Sequence, residues 1–359
     1  MKILYIHQPF SFIGGGEVFA NDVGKTLNIP IHSIVNTKNN KFNFIDISSK
    51  LPFLSRCMRN VRSMDYFTFS SLDISDIGEY DVVLSSGSVK SLITPPYIPH
   101  FNMVFSTPRT LYDLYHWRRK RMKFGNEWFV LISEFIRNMD TSANNRVDKF
   151  ISISPIIQRR LEKYYKIKSD IIYPPIDCSK YYNKSSEDYF LFLSRLEPEK
   201  RPEEAIDACI KTDQKLIVSG IGSLSKKLQS KYKNNKNIIF SGFISEENKI
   251  DLLSHCKALI FSAINEDFGI SVIESLASGK PVIVSNEPDN FPTLLIKNKY
   301  GMITDGTSQD ISYAIRNMPE FNPKDLMECA KQFDFSIFKE RLNERIKFYY
   351  DDFNNKFNI

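Results

Sequence analysis

Two carboxylates, Glu266 and Glu274, stand with seven residues between them, and Gly269 falls between the two. A helix is predicted over Ile270–Ala277, so Glu266 lies in the loop before it and Glu274 one turn inside it, both able to face one crevice. A helix that starts after glycine lets a ligand approach the backbone and leaves free N–H groups pointing outward. That suits an anion or a polar sugar. Two acids beside a helix start would also simply complement its dipole, and the pair alone does not separate these readings. The second set of candidates is cationic. Arg195 and Lys200 sit in the short loop Ser194–Pro202, where a planar fork and a point charge can converge on one diphosphate. The third is the run Gly14-Gly15-Gly16 after the first predicted strand. Strand, glycine loop and helix in succession bring backbone amides to a phosphate, although a flexible turn has the same composition.

The elements that must hold these residues are legible as buried apolar runs. Lys2–His7, Pro30–Val35, Tyr80–Ser88 and Asn102–Phe105 read as strands of a first series, while the signals between Asn36 and Ser75 are mixed, with Leu51–Arg62 helical. A second series reads as strands at Tyr189–Leu193, Lys215–Val218, Asn237–Phe240, Ala258–Phe261, Pro281–Val284 and Gly301–Ile303, with helical patterns between. Alternation of this length predicts parallel, doubly wound α/β sheets. The polar, aperiodic stretch Cys178–Asp188 reads as an interdomain hinge, dividing domains at 1–177 and 189–335. Phe335–Tyr350 is an amphipathic helix with Phe338, Leu342 and Ile346 on one face.

The pair Glu266/Glu274 resembles the E-x7-E signature of glycosyltransferase family 4 (group 1), retaining enzymes of GT-B fold. The resemblance implies two Rossmann-like doubly wound domains facing a cleft, with the last helix, 336–359, packing back on the first domain. It implies that Glu274 accepts hydrogen bonds from the nucleotide ribose, that Glu266 lies by the donor sugar, and that the backbone of Phe268, Gly269 and Ile270 meets the sugar hydroxyls. By the same resemblance Arg195 and Lys200 bind the donor diphosphate, Gly15 and Gly16 lie against its phosphate, and the backbone near Phe243 and Ile244 receives the nucleobase. Ser106-Thr107-Pro108-Arg109 is similar to a His-Thr-Pro-x-Arg segment of mannosyltransferase-like members, with Ser106 standing at the His position. The implied activity is transfer of a hexose, mannose favoured, from a nucleotide-diphosphate sugar such as GDP-mannose to a glycan, lipid-linked or other hydroxyl acceptor. An epimerase or phosphorylase-type enzyme on the same architecture, or a non-catalytic nucleotide-sugar-binding protein, would share these features.

Bulk properties set the remaining bounds. A chain of 359 residues is long enough for two cores. Its net charge of +6 suits phosphate-bearing donors without calling for nucleic acid. The cysteines Cys57, Cys178, Cys209, Cys256 and Cys329 are scattered and odd in number, which fits free thiols. No G-x-G-x-x-G is present, the His residues have no triad or ligand spacing, and no Asp-x-Asp occurs. Neither NAD nor a metal is therefore called for, and the only small molecule expected is the donor. The opening residues turn polar too soon for a signal peptide and no apolar run approaches ~20 residues, so the expected location is cytoplasmic, at most peripheral to a membrane. Arg118, Arg119, Lys120 and Arg121, beside aromatics, are either a solvated helix face or a contact for anionic lipid.

Overall fold

The structure is a computed structural model of the chain. It describes all residues except 11–13, 36–41, 43, 54, 56–64, 123–124, 298 and 358–359. The helix expected over Leu51–Arg62 and the thiol of Cys57 therefore lie wholly or largely outside the described residues. Two compact units are present, Met1–Pro174 with Phe338–Ile359, and Pro175–Ile337. Among the described residues no helix is long and apolar enough to cross a membrane.

Among the described residues the first unit is built on seven parallel strands: β1 (Ile3–Ile6), β2 (Ile31–Ser33), β3 (Ile45–Asp46), β4 (Val82–Ser86), β5 (His100–Val104), β6 (Lys149–Ser152) and β7 (Asp170–Ile171). Their order is β3-β2-β1-β4-β5-β6-β7. β1, β4 and β5 are buried along almost their whole length, as strands of a parallel sheet covered on both faces are, and the polar side chains among them, Ser85, Ser86, His100 and Asn102, are hydrogen-bonded inside. The final helix, Phe335–Phe357, adds Phe338, Leu342, Ile346, Tyr349 and Phe353 to buried positions. Its Tyr349 hydroxyl donates to Asp170 Oδ2 at 2.5 Å, and Lys149 pairs with Asp352 at 2.8 Å.

The second unit has six parallel strands: β8 (Phe190–Leu193), β9 (Leu216–Ser219), β10 (Ile238–Gly242), β11 (Leu259–Phe261), β12 (Val282–Ser285) and β13 (Gly301–Thr304). Their order is β10-β9-β8-β11-β12-β13. Phe190, Phe192, Leu216, Val218, Ile260 and Ile283 share one buried cluster. From β8 the chain winds outward one way to β9 and β10, then returns to β11 and winds the other way. β8 and β11 thus flank the point where strand order reverses, and crevices for ligands open beyond the carboxyl ends of strands at such a point.

The segment 178–188 is not a free hinge. Asn183 Nδ2 donates to the carbonyls of Ser278 and Gly279 at 3.0 and 3.1 Å, and Lys280 Nζ donates to Lys184 O at 2.8 Å. The polar side chains that give it a linker's composition are the groups that fasten it to the second unit.

A buried network in the first unit carries a titration consequence. His100 is fully buried, with Nδ1 3.1 Å from Arg146 O and Nε2 2.6 Å from Ser85 Oγ. The carbonyl can only accept, so the ring is the neutral Nδ1–H tautomer and Ser85 donates to Nε2. Burial lowers the His100 pKa from 6.5 to about 4. The unfolded chain therefore binds the proton first, and His100 stabilises the fold fully above pH 6.5 and loses that contribution as pH falls through about 4. The shift corresponds to about 3 kcal/mol. Both tryptophans, Trp117 and Trp128, lie in this unit, so their emission during urea unfolding reports on it. The wild type is expected to lose stability more steeply than His100→Gln between neutral pH and pH 4; equal slopes would refute the role given to His100.

Candidate functional site

The loops that follow β8 and β11 are stitched together before any charged group is considered. Ser262 Oγ donates to the carbonyls of Lys200 and Arg201, each at 3.0 Å, and Ile264 N donates to Glu199 O at 3.0 Å. The first loop closes in a single turn, Pro198–Lys200, and Arg201, at φ 48°, leads into the helix Pro202–Lys211. This geometry delivers Lys200 Nζ to Glu266 Oε2, with which it forms an ion pair. Both side chains are half-buried. The cation and the sugar-side carboxylate expected from sequence thus meet at the switch point.

Glu266 is held from a third strand as well. Its amide donates to Asn290 Oδ1 at 3.2 Å, and its carbonyl accepts from Phe291 N at 3.0 Å. Asn290 Nδ2 donates to Ser285 O, at the end of β12, at 2.9 Å. Phe268 points its ring into the core, stacked on Phe291 at 5.1 Å and edge-on to Phe333 at 5.6 Å, which leaves only its backbone for a ligand. Gly269 then opens the helix Ile270–Ala277 at φ 78°. A Cβ there would come within 2.8 Å of Pro292 Cγ. The amides of Ile270 and Ser271 lie at the start of this helix, where no intrahelical acceptor exists.

Glu274 is buried, and its Oε1 accepts from Tyr181 Oη at 2.8 Å and Lys249 Nζ at 2.5 Å. Lys249 also pairs with Glu246 at 2.9 Å. Burial alone would lower the Lys249 pKa, but the Glu274 and Glu246 carboxylates outweigh it and raise it. Burial, and next the Glu274 charge, hold the Tyr181 hydroxyl protonated. Lys249 lies on the helix Glu246–His255, which Ser245 caps and which follows Phe243 and Ile244 by that one residue. That ties the loop beyond β10 to Glu274. Phe243 is exposed and Ile244 half-buried in this loop. Arg195 is the outlier. Its side chain is exposed and pairs, among the described residues, with Glu199 at 3.9 Å, so the structure does not bring it onto Lys200.

In the first unit, Gly15 and Gly16 are not loop residues. The helix starts at Gly15, two residues earlier than the sequence pattern predicts, because Glu17 Oε2 accepts from Gly14 N at 3.0 Å and closes a capping turn. Their amides are first-turn amides. Ser106 is half-buried, with Oγ donating to Thr107 O at 3.0 Å. Beside the glycines lies a group the sequence reading did not single out. His7 Nδ1 is 2.7 Å from Ser86 Oγ, which also accepts from Tyr5 Oη at 3.1 Å, and His7 Nε2 is 3.9 Å from Glu17. Burial lowers the His7 pKa. In the second unit sequence reasoning missed Lys249, Tyr181, Ser262 and Asn290. Only Asn290 carried a signal, an Asn just before Phe291-Pro292 at a helix start.

Residues 179–332 match the family model described as Glycosyl transferases group 1. The match lies within the second unit and does not extend to Gly15, Gly16 or Ser106 in the first. An uncharacterized glycosyltransferase of Methanocaldococcus jannaschii is 29% identical over 145 residues, 40% of this chain and 41% of that protein. The GDP-mannose-dependent alpha-(1-6)-phosphatidylinositol dimannoside mannosyltransferase of Mycobacterium tuberculosis is 29% identical over 144 residues, 38% of this chain and 37% of that one. The chain thus aligns with about two fifths of the length of these relatives. Sucrose-phosphate synthase from Thermosynechococcus elongatus superposes with a TM-score of 0.79 at 13% identity, covering 98% of this chain and 100% of that one. The fold is the two-domain α/β GT-B fold.

The strain-sensitive element of the site is the helix start. Gly269→Ala is expected to cost about 1–3 kcal/mol in denaturant unfolding of the second unit. Gly242 also has a positive φ, of 68°, but open space around its Cβ direction. Gly242→Ala is therefore expected to cost only ~1 kcal/mol. Equal effects of the two would show that Pro292 does not constrain the helix start.

Proposed function

We propose that the chain is a retaining glycosyltransferase that moves a hexose, mannose favoured, from a nucleotide-diphosphate sugar to a hydroxyl acceptor. The observation that carries this reading is the Lys200–Glu266 pair at the strand-order reversal, joined to a glycine-opened helix start and lying within the stretch that matches the group 1 family model. A diphosphate entering there competes with Glu266 for Lys200. Lys200 then screens the leaving anion, and Glu266 is released to accept from a hexose hydroxyl. The amides of Ile270 and Ser271 add donors, and exposed Arg195 swings in as a second cation. Glu274, with two donors already on Oε1, offers Oε2 to the ribose hydroxyls. This division of labour puts positive charge where the diphosphate gathers electrons as its bond to the sugar breaks.

The bond between the anomeric carbon and the phosphate oxygen breaks with its electron pair going to phosphate. The acceptor oxygen bonds to the same face of the sugar and gives its proton to that departing phosphate. Atoms and charge balance without a separate base, and configuration is retained. Mannose and a guanosine donor are favoured by the likeness to the mannosyltransferase segment of the M. tuberculosis relative and by the Thr107-Pro108-x segment. The family match itself does not distinguish between sugars.

A thermal-shift screen against GDP-, UDP- and dTDP-sugars tests the donor, with GDP-mannose expected to give the largest stabilisation. Product analysis with Lys200→Ala and Glu274→Gln tests the chemistry. Gln is chosen because it keeps an oxygen that can accept from Tyr181 and Lys249, whereas Glu274→Ala would leave half-buried Lys249 with Glu246 alone. Each variant is expected to lower transfer by at least about 100-fold. Wild-type transfer rates in both, or no shift with any donor, would overturn the assignment.

A further inference from the structure

The helix Asn126–Asn144 buries Ser133, Asp140, Ala143 and Asn144 on one side and leaves large apolar groups on the other. Trp128, Leu131, Ile132 and Phe135 are 71, 64, 53 and 65% exposed. Their positions, i, i+3, i+4 and i+7, form one stripe along the helix. A single exposed apolar residue is ordinary, but four on one face mark a binding surface.

The stripe is fixed beside a basic helix, Tyr115–Arg121, in which Arg118, Lys120 and Arg121 are exposed. Phe129 stacks on Tyr115 with ring centroids 5.5 Å apart, Arg119 Nε donates to Asn126 Oδ1 at 3.1 Å, and Arg137 lies 4.3 Å over the Tyr115 ring. These contacts lock the two helices against each other, which keeps the cations next to the stripe. Two acids lie on the longer helix: Glu134 is paired with Arg137 at 2.9 Å, and Glu127 is exposed. The cations outnumber them.

We propose that this face docks on an anionic lipid bilayer. Trp128, Leu131, Ile132 and Phe135 enter the boundary between head groups and acyl chains, while Arg118, Lys120 and Arg121 lie against lipid phosphates. Apolar side chains of this size next to a cluster of cations match the two layers of such a surface, an oily interior beneath a negative plane. A second copy of the chain fits less well, because self-association through the same patch brings cation clusters towards each other. The inference does not depend on the reaction assigned above and fails or stands separately from it.

The test is co-sedimentation of the full chain with phosphatidylcholine vesicles with and without phosphatidylglycerol. The wild type is expected to pellet with the anionic vesicles at low salt and to release as salt rises. Replacing the exposed cations together (Arg118→Gln, Lys120→Gln, Arg121→Gln) is expected to weaken binding about a hundredfold. Leu131→Ser with Phe135→Ser is expected to weaken it at least about tenfold, including at moderate salt. Every replaced group is exposed, and unchanged circular dichroism checks the fold. In a Trp117→Phe background, Trp128 emission is expected to shift to shorter wavelength on anionic vesicles. No pelleting of the wild type, or equal pelleting of both variants, overturns the proposal. So does a wild-type dimer that Leu131→Ser with Phe135→Ser converts to monomer, which would give the face to a second copy.

Discussion

Ser262 is a small side chain on which much depends. Its hydroxyl bridges two successive carbonyls, those of Lys200 and Arg201, and so clamps the loop leaving β8 to the loop leaving β11. Parallel strands bring these loops out side by side, but only a cross-link fixes the height at which each side chain emerges. With that height set, Lys200 meets Glu266, and Glu266 is in turn tied to β12 through Asn290. The charged groups are positioned by neutral hydrogen bonds beneath them, which keeps the geometry independent of whether the ion pair is made or exchanged for a ligand.

Glu274 obeys the opposite logic. It is buried, so its charge must be compensated inside the protein, and Lys249 and Tyr181 do so on one oxygen. Tyr181 belongs to the polar segment that leads into β8, while Lys249 belongs to the helix after β10. The carboxylate thus draws together three stretches distant in the chain. A group held this firmly is oriented before any ligand arrives, which reduces the ordering cost of binding.

The sheets were largely readable from residues alone. All six strands of the second unit fall within two residues of their predicted bounds, because the central ones, β8, β11 and β12, are covered on both faces and read as short apolar runs, and even the edge strand β10 opens on Ile238-Ile239-Phe240. Glu266, Gly269 and the helix from Ile270 were readable for a related reason: a glycine break followed by a buried helical face is a local pattern. The peripheral strands were harder. β3 is two exposed residues, Ile45 and Asp46, with no apolar run to betray it. Lys249 was invisible because its role comes from a neighbour twenty-five positions away. The segment 178–188 misled because polarity marks both a solvated linker and a strap bonded to helix ends. The exposed stripe of Trp128 to Phe135 has an amphipathic period, and only burial on the opposite face reveals which side the protein keeps.

The first unit is assembled from two separated pieces of chain, since the residues from Phe338 onward complete it. The second unit is continuous. On a ribosome, the second half can therefore close its core while the first still lacks a wall, with the surface that Leu342, Ile346 and Tyr349 later cover standing open. Maturation of the N-terminal portion is thereby made to wait for a stretch that leaves the ribosome after the whole of the second unit.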